Sequence, residues 1–545
     1  MATRVAGAVL RSFVVPLLGA ACSSFGGGAA GTTPPGPNPE PDSGLPPITG
    51  TPSRGIEVTV GDPLATAFVV QGRSLTLPVK LTRKESSVGP VTITVSKLPK
   101  DVTVDALTIP AGAVEATLTL KAAATSPQGA TVLDIAAVEG GSQGAGAATK
   151  VSAFVRGTPG ALDTTFGTQG VARHLFGAGK HVAVRDLVVL GDDRLVVVSE
   201  CGAGGFAEFA CVTQTSADGV TNTAYGTGGT ATLGIPTLGQ AVADVAGGVL
   251  LSGNAGANSL SIGRLTDKGQ PDATFGNGTA GAAGTYTFAP LPGGTPEGAR
   301  SSLAVRKDGT IVLGFNHATG GATKTLGLAV FTAKGAPVTG FGTSGIFFGS
   351  QLVGLTVPAV GGRANGNIWT ASIDPAGGNP FCYAYEHDAI TGVVVGAGLG
   401  VSCQTNPNSA TGGAVALADG SVVPAFHSGT TIVIAKSIPD GSRLDLVWGT
   451  GGIATINEDA VPSVSVDKKG VILVALLRDG GLRFMRLTAG GAPDTSFGNG
   501  GTVVHAFGMN HQIARAFVQK DGRIVVAGTE DFVDGSDATL SRYWD

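Results

Sequence analysis

The chain has 545 residues, of which 35 are basic and 39 acidic, giving a net charge of −4, and its length calls for two or more domains. A balance so near neutral, with 14% charged residues, excludes nucleic acid and an anionic membrane surface as partners held by charge. Glycine supplies 88 residues, about twice its usual share of roughly 7%, and short runs of Val, Ala, Leu and Ile are cut by Asn-Gly and Asp-Gly, the punctuation of an all-β chain.

The first 21 residues read as an export signal. Arg4 and Arg11 flank or precede Ser12–Ala21, an apolar run too short for a bilayer span of about 20 residues. It leads into Leu18-Gly19-Ala20-Ala21-Cys22, which resembles a bacterial lipobox, where a cysteine after small residues is acylated and becomes the new N-terminus. The usual pattern has Leu three residues before the Cys; here Gly19 stands there and Leu18 one earlier. An ordinary secretory peptide is the other reading. Residues 22–54 are rich in Gly, Pro and Ser and are expected to form a disordered tether. Cys22 would then anchor the protein to a membrane, and Ser23 after it implies the outer membrane by lipoprotein sorting rules.

Residues 55–157 predict a small β-sandwich. Strands are expected at Ile56–Val60, Ser74–Leu81, Val91–Val95, Val102–Ile109, Glu115–Leu120, Thr131–Val138 and Thr149–Val155, the number typical of an immunoglobulin-like fold. The segment has no cysteine and resembles the immunoglobulin-like spacer domains of bacterial surface proteins.

From residue 159 to 545 one turn recurs. Clear copies are Leu162-Asp163-Thr164-Thr165-Phe166-Gly167, Pro271-Asp272-Ala273-Thr274-Phe275-Gly276 and Pro493-Asp494-Thr495-Ser496-Phe497-Gly498. Weaker copies centre on Tyr225-Gly226, Phe341-Gly342 and Trp448-Gly449, and the most degraded on Leu399-Gly400. Their spacings run from 49 to 66 residues. A hairpin follows each, as in Lys307-Asp308-Gly309 and Lys520-Asp521-Gly522, or at Asn365-Gly366, Asp419-Gly420 and Lys469-Gly470. Strands ending Arg264-Leu265, Arg486-Leu487 and Arg542-Tyr543 lead to the next turn.

The Leu-Asp-x-x-Phe-Gly turn, combined with a Lys-Asp-Gly-x-Ile-Val-Val-Ala-Gly hairpin at this period, resembles the delta-60 repeat of bacterial exported proteins. That resemblance implies a β-propeller. Each unit is too small to bury a face alone, and seven units lie within the usual 4–8 blades. The segment opens inside the turn motif and closes on the strand that precedes it, so Gly160–Phe166 should meet Leu540–Asp545, as a closed ring requires. An open β-solenoid is the alternative. The expected architecture is therefore a small β-sandwich followed by a seven-bladed β-propeller.

Within the repeats, Phe166, Phe275, Phe341, Trp448 and Phe497 are expected to plug adjacent blades, and Tyr225 is a structural residue of its repeat turn. Asp163, Asp272, Asp445 and Asp494 can accept backbone N–H groups of their turns, with calcium binding the competing role. Gly167, Gly276 and Gly498 permit positive φ or close approach. Cys201, Cys211, Cys382 and Cys403 form two local pairs, and local bridging is the simplest of three connectivities in an oxidising compartment. A zinc site would want closer spacing and histidines.

Catalytic patterns are weak. Gly140-Gly141-Ser142-Gln143-Gly144 fits Gly-x-Ser-x-Gly without a following helix. Glu386-His387-Asp388 would alternate faces on a strand, and Asp531, Asp534 and Asp537 lack EF-hand spacing. No cofactor or metal is expected. Two functions stay open: a membrane-anchored, non-catalytic binding module with a protein or glycan partner, or an exported hydrolase or quinone-type dehydrogenase with residues converging from several blades. Polar or acidic side chains at one equivalent, channel-facing position would mark the second.

Overall fold

The computed structural model describes residues 55–545 apart from short internal stretches, the longest being 403–409, 277–282, 353–358 and 375–380. Residues 1–54, with Cys22, lie outside the described residues, as do Cys403, residues 141–145, the Lys469-Gly470 turn and Asp534. Every regular element among the described residues is a strand. The class is all-β.

Residues 56–156 form two facing sheets. One has the order Ile56–Val60, Ser74–Arg83, Glu115–Ala122, Val102–Val104; the other runs Ala67–Val70, Gly146–Arg156, Gly129–Glu139, Val91–Ser96, Leu107–Ile109. Alternating residues of both, including Val58, Val79, Leu118, Ile135 and Val151, share one core. Burial alternates strictly along Ile56–Val60, the mark of sheets with one wet face.

Two details depart from the sequence expectation. Val102–Ile109 is not one strand: Val102–Val104 pairs with Glu115–Ala122, whereas Leu107–Ile109 pairs with Val91–Ser96 in the other sheet. The chain crosses between layers at Asp105 and Ala106, which breaks the ladder. Ala67–Val70 is an unforeseen edge strand that runs parallel to Gly146–Arg156; four residues bounded by loops leave little periodicity to read.

The rest of the chain builds seven four-stranded antiparallel sheets among the described residues. Their first strands are Lys180–Val189, Thr237–Ala243, Thr295–Val305, Ala359–Gly362, Ala410–Ala416, Val461–Val466 and His511–Val518. Each touches the first strand of the next sheet, and the seventh touches the first, so these inner strands make a closed, propeller-like cycle. Second and third strands such as Leu195–Ala203, Phe209–Thr215 and Val422–Ser428 are buried on both faces. That is why they read as continuous apolar runs rather than alternation.

Closure is made by strand exchange. The seventh sheet takes His511–Val518, Ile524–Phe532 and Gly535–Tyr543 from one end of the segment and Val171–His174 from the other. Val171 stands opposite Ser541 and His174 opposite Ala538. Leu162 bridges to Tyr543, and the N–H groups of Gly160 and Asp163 donate to the carbonyls of Trp544 and Arg542, both at 2.8 Å. A row of open strand edges is thereby removed.

Candidate functional site

In six of the seven sheets the recurrent turn lies between the third and fourth strand, and its aromatic residue is buried between neighbouring sheets. Phe275 packs with Leu250 and Ile262 of the second sheet and Ile311 and Leu313 of the third. Tyr225, Phe341, Trp448, Phe497 and Phe166 occupy the corresponding joints. At five of these six joints the next sheet meets the ring with a glycine at positive φ: a Cβ on Gly335 would sit 2.7 Å from the ring of Phe275. The glycine after each aromatic then ties the two sheets. Gly167, Gly226, Gly276, Gly342, Gly449 and Gly498 donate N–H to the carbonyls of Asp218, Lys268, Lys334, Ile390, Gly490 and Pro159, at 2.8 to 3.2 Å.

The turn aspartates bind cations from the preceding strand, and Asp272 and Asp494 also hold their own turn. Asp272 Oδ1 accepts from the Thr274 amide at 2.9 Å, and Oδ2 from Arg264 Nε at 2.8 Å. Asp494 repeats this with Ser496 and Arg486, and Asp445 takes Lys436 Nζ at 2.6 Å. The Ser496 hydroxyl, working against burial together with its amide and Arg486, holds the Asp494 carboxyl below the usual range. Arg264, Arg486 and Arg542 also lie 4.6 to 4.8 Å over Phe275, Phe497 and Phe166, a favourable cation–π geometry. The cations occupy the acid oxygens, which is the arrangement of a structural clamp. In the first sheet both partners change together: Asn222 Nδ2 donates to Gln214 Oε1 at 2.7 Å.

Leu399-Gly400 is not a copy of the turn. Both residues lie in the fourth strand itself, Leu399–Ser402, paired to Phe381–His387. The bridge from His387 to Val394 matches those from Leu265 to Pro271 and Leu487 to Pro493, whose aromatic follows four residues later. That place falls on Gly398, where the ring of Tyr385 is 2.3 Å from a built Cβ. At this joint Arg363 supplies the tie, its Nη1 donating to the carbonyls of Gly420 and Pro439 at 3.2 and 3.1 Å.

Cys201 and Cys211 form a disulfide on adjacent strands, Cα atoms 5.8 Å apart. Cys382 is also disulfide-bonded. For a loop of 10 residues, replacing both Cys201 and Cys211 by Ala should lower stability by about 2–3 kcal/mol. Equal urea midpoints for the variant and the oxidised protein would refute this.

Glu386, His387 and Asp388 do not converge. Glu386 Oε1 accepts from Asn365 and Asn367. His387 is buried between Thr370 and the Gly392 carbonyl, and Asp388 caps its own turn.

The inner strands converge on a cavity of about 170 Å³ at the centre of the cycle. Counting back three residues from the pair that closes each first hairpin, the equivalent positions are Asp186, Gln240, Ser302, Ala359, Gly413, Ser463 and Arg515. All seven line the cavity. Most inner strands carry a β-bulge here, which re-aims side chains.

Several of these side chains staple one sheet to the next. Asp186 Oδ2 accepts from the Ala241 amide at 2.9 Å, Gln240 Oε1 from Leu303 at 2.8 Å, and Ser463 Oγ from Ala516 at 3.5 Å. Arg515 Nε, 3.5 Å from Asp186 Oδ1, completes the circuit between seventh and first sheets. Burial pushes the Asp186 carboxyl up, opposed by Arg515 and the amides of Ala241 and Leu187. Arg185 lies beside them, paired to Glu200 at 2.7 Å. The cavity is thus two-sided, with polar groups on sheets one, two, three, six and seven and small or apolar ones on four and five.

No family model and no curated protein matches the chain. Similar solved structures include an unknown-function protein of Dyadobacter fermentans (10% identity, TM-score 0.38, covering 68% of this chain and 97% of that one). The WD40 domain of Toxoplasma gondii coronin has 10% identity and a TM-score of 0.38, covering 71% and 88%. The polysaccharide lyase Uly1 has 9% identity and a TM-score of 0.39, covering 69% and 92%.

Proposed function

We propose that this chain is an exported, lipid-anchored binding protein of the outer membrane whose ring engages a protein or glycan partner without chemistry. Residues 1–21 are the signal peptide, Cys22 the acylated residue and 22–54 the tether. Residues 55–157 act as an immunoglobulin-like spacer and 159–545 as a seven-bladed delta-60 propeller. The observation that carries the reading is the channel-facing position. Of its seven residues only Asp186 is acidic, and that carboxylate is already committed to two backbone amides and Arg515. A hydrolase built on paired carboxylates needs two with separate duties. The other channel groups, an amide and hydroxyls, suit recognition.

The test has two arms in a bacterial host with an outer membrane. Cys22→Ser should leave the protein unacylated and released from membranes; equal retention of both forms, with no fatty acid on either, overturns the anchor. Replacing Gln240 and Arg515 by Ala should weaken capture of an envelope component about tenfold, equivalent to 1.4 kcal/mol. Unchanged capture, or conversion of the bound component to products, overturns the non-catalytic channel site.

A further inference from the structure

A second cavity, of about 670 Å³, lies where the two-sheet unit meets the ring. Its volume is that of a ligand site, roughly 300–1,000 Å³, and such sites favour domain junctions. One wall is the outer face of the five-stranded sheet. Phe68 stands beside Phe154 in parallel register, their rings 6.0 Å apart, and Val132 follows on the next strand. That face would ordinarily be polar, yet Phe68 is 53% and Val132 47% exposed. Exposed apolar groups gathered in one groove mark an interaction site.

The facing wall comes from the ring. Trp544 meets Phe154 edge-on at 5.7 Å, and its Nε1 donates to Gln128 Oε1 at 3.0 Å. Gln128 Oε1 also accepts from the Thr164 amide, while its Nε2 donates to the Leu162 carbonyl. One side chain therefore locks the junction, so the groove is preformed. Its charges cancel within the wall: Arg156 lies 3.4 Å from Asp545, and Arg523 Nε donates to Asp521 at 2.6 Å.

We propose that this junction groove binds a neutral oligosaccharide. Exposed aromatic rings pack against the C–H faces of pyranose rings. Guanidinium and carboxylate groups held side by side offer donor and acceptor together, as vicinal hydroxyls require. Two cations and two anions leave no net charge to draw a nucleic acid or an acidic peptide. A lipid chain or apolar helix would cut these four ions off from water without returning hydrogen bonds. A neutral polyol supplies both surfaces, and a preformed site spares part of the ordering cost of binding.

The site is separate from the channel, which makes the two readings distinguishable. The full chain would be titrated calorimetrically with neutral oligosaccharides of glucose, galactose, mannose and N-acetylglucosamine, and with oligouronates. At least one neutral series should bind, with affinity insensitive to salt. Phe68→Ala should weaken it about tenfold with the thermal midpoint unchanged, because that ring is half exposed. Arg515→Ala, in the channel, should bind as wild type. The proposal is overturned if no neutral series binds, if only oligouronates bind, or if Phe68→Ala binds undiminished.

Discussion

Removing one partner of the Asp163–Arg542 pair is expected to cost about 3–5 kcal/mol of folding stability. Both side chains are 0% exposed, with Arg542 Nε 2.8 Å from Asp163 Oδ2. Arg542 Nη1 also donates to the Ala217 carbonyl at 2.7 Å and to Asp218 Oδ1 at 2.9 Å. Asp163 Oδ1 meanwhile accepts from the Thr165 amide. One guanidinium thus joins the seventh sheet, the segment that closes it and the first sheet. Asp163→Ala would leave the buried Arg542 only the exposed Asp218 carboxylate as counter-charge, and Arg542→Met would leave the buried Asp163 only the longer contact from Arg523 Nη1 at 3.2 Å. The solvent-accessible equivalents Asp494 and Arg486 should cost distinctly less when replaced. Denaturant midpoints of the four single variants check this ordering. If Asp163→Ala and Asp494→Ala lose the same stability, burial is not what sets the strength of the clamp.

Acidification should destabilise the ring through His174. This residue, in the closing strand, is buried, its Nδ1 is 3.4 Å from Thr221 Oγ1 and Nε2 has no partner. Burial pushes its pKa down from 6.5 to about 4. The unfolded chain binds the proton more readily than the folded one, so stability rises with pH across this window. The contribution is fully present above about pH 6.5 and declines as pH falls toward 4, by about 3 kcal/mol in all. Asp186 works in the opposite sense, its raised pKa favouring the fold as acid is added. The clean measurement is the difference between wild type and His174→Asn in urea midpoint at pH 7 and pH 5. Parallel losses in both proteins would show that other groups dominate acid sensitivity.

The parts of this architecture legible in the sequence are those repeated with the same residue types. The aromatic-Gly turn survives in six of its seven places because each ring fills the same inter-sheet gap. Both halves of the clamp are visible too, Arg264-Leu265 at a strand end and Asp272 in the turn. Their partnership is not visible, because they stand eight positions apart in the chain and nothing local says they fold back. The fourth sheet misled for a physical reason: a shortened turn moved the strand onto Leu399, leaving period as the only guide. The channel position was out of reach, since each unit places a different residue there and a bulge shifts the count. The Gln128 lock is likewise silent, being a single polar residue in a loop whose partners lie at distant places in the chain.

The exchange that closes the ring also sets the order in which it can be built. Val171 pairs with Ser541, so the earliest strand of the cycle waits, as the chain emerges from its N-terminal side, for nearly the last one made. Until then Val171–His174 has no neighbour, and the first and sixth sheets each lack a flank. Contacts of such sequence separation are slow to form, and unpaired edges are the surfaces by which partly folded chains aggregate. A ring of this kind should rely on a holding factor until it closes, and should be unusually sensitive to loss of the Gly535–Tyr543 strand.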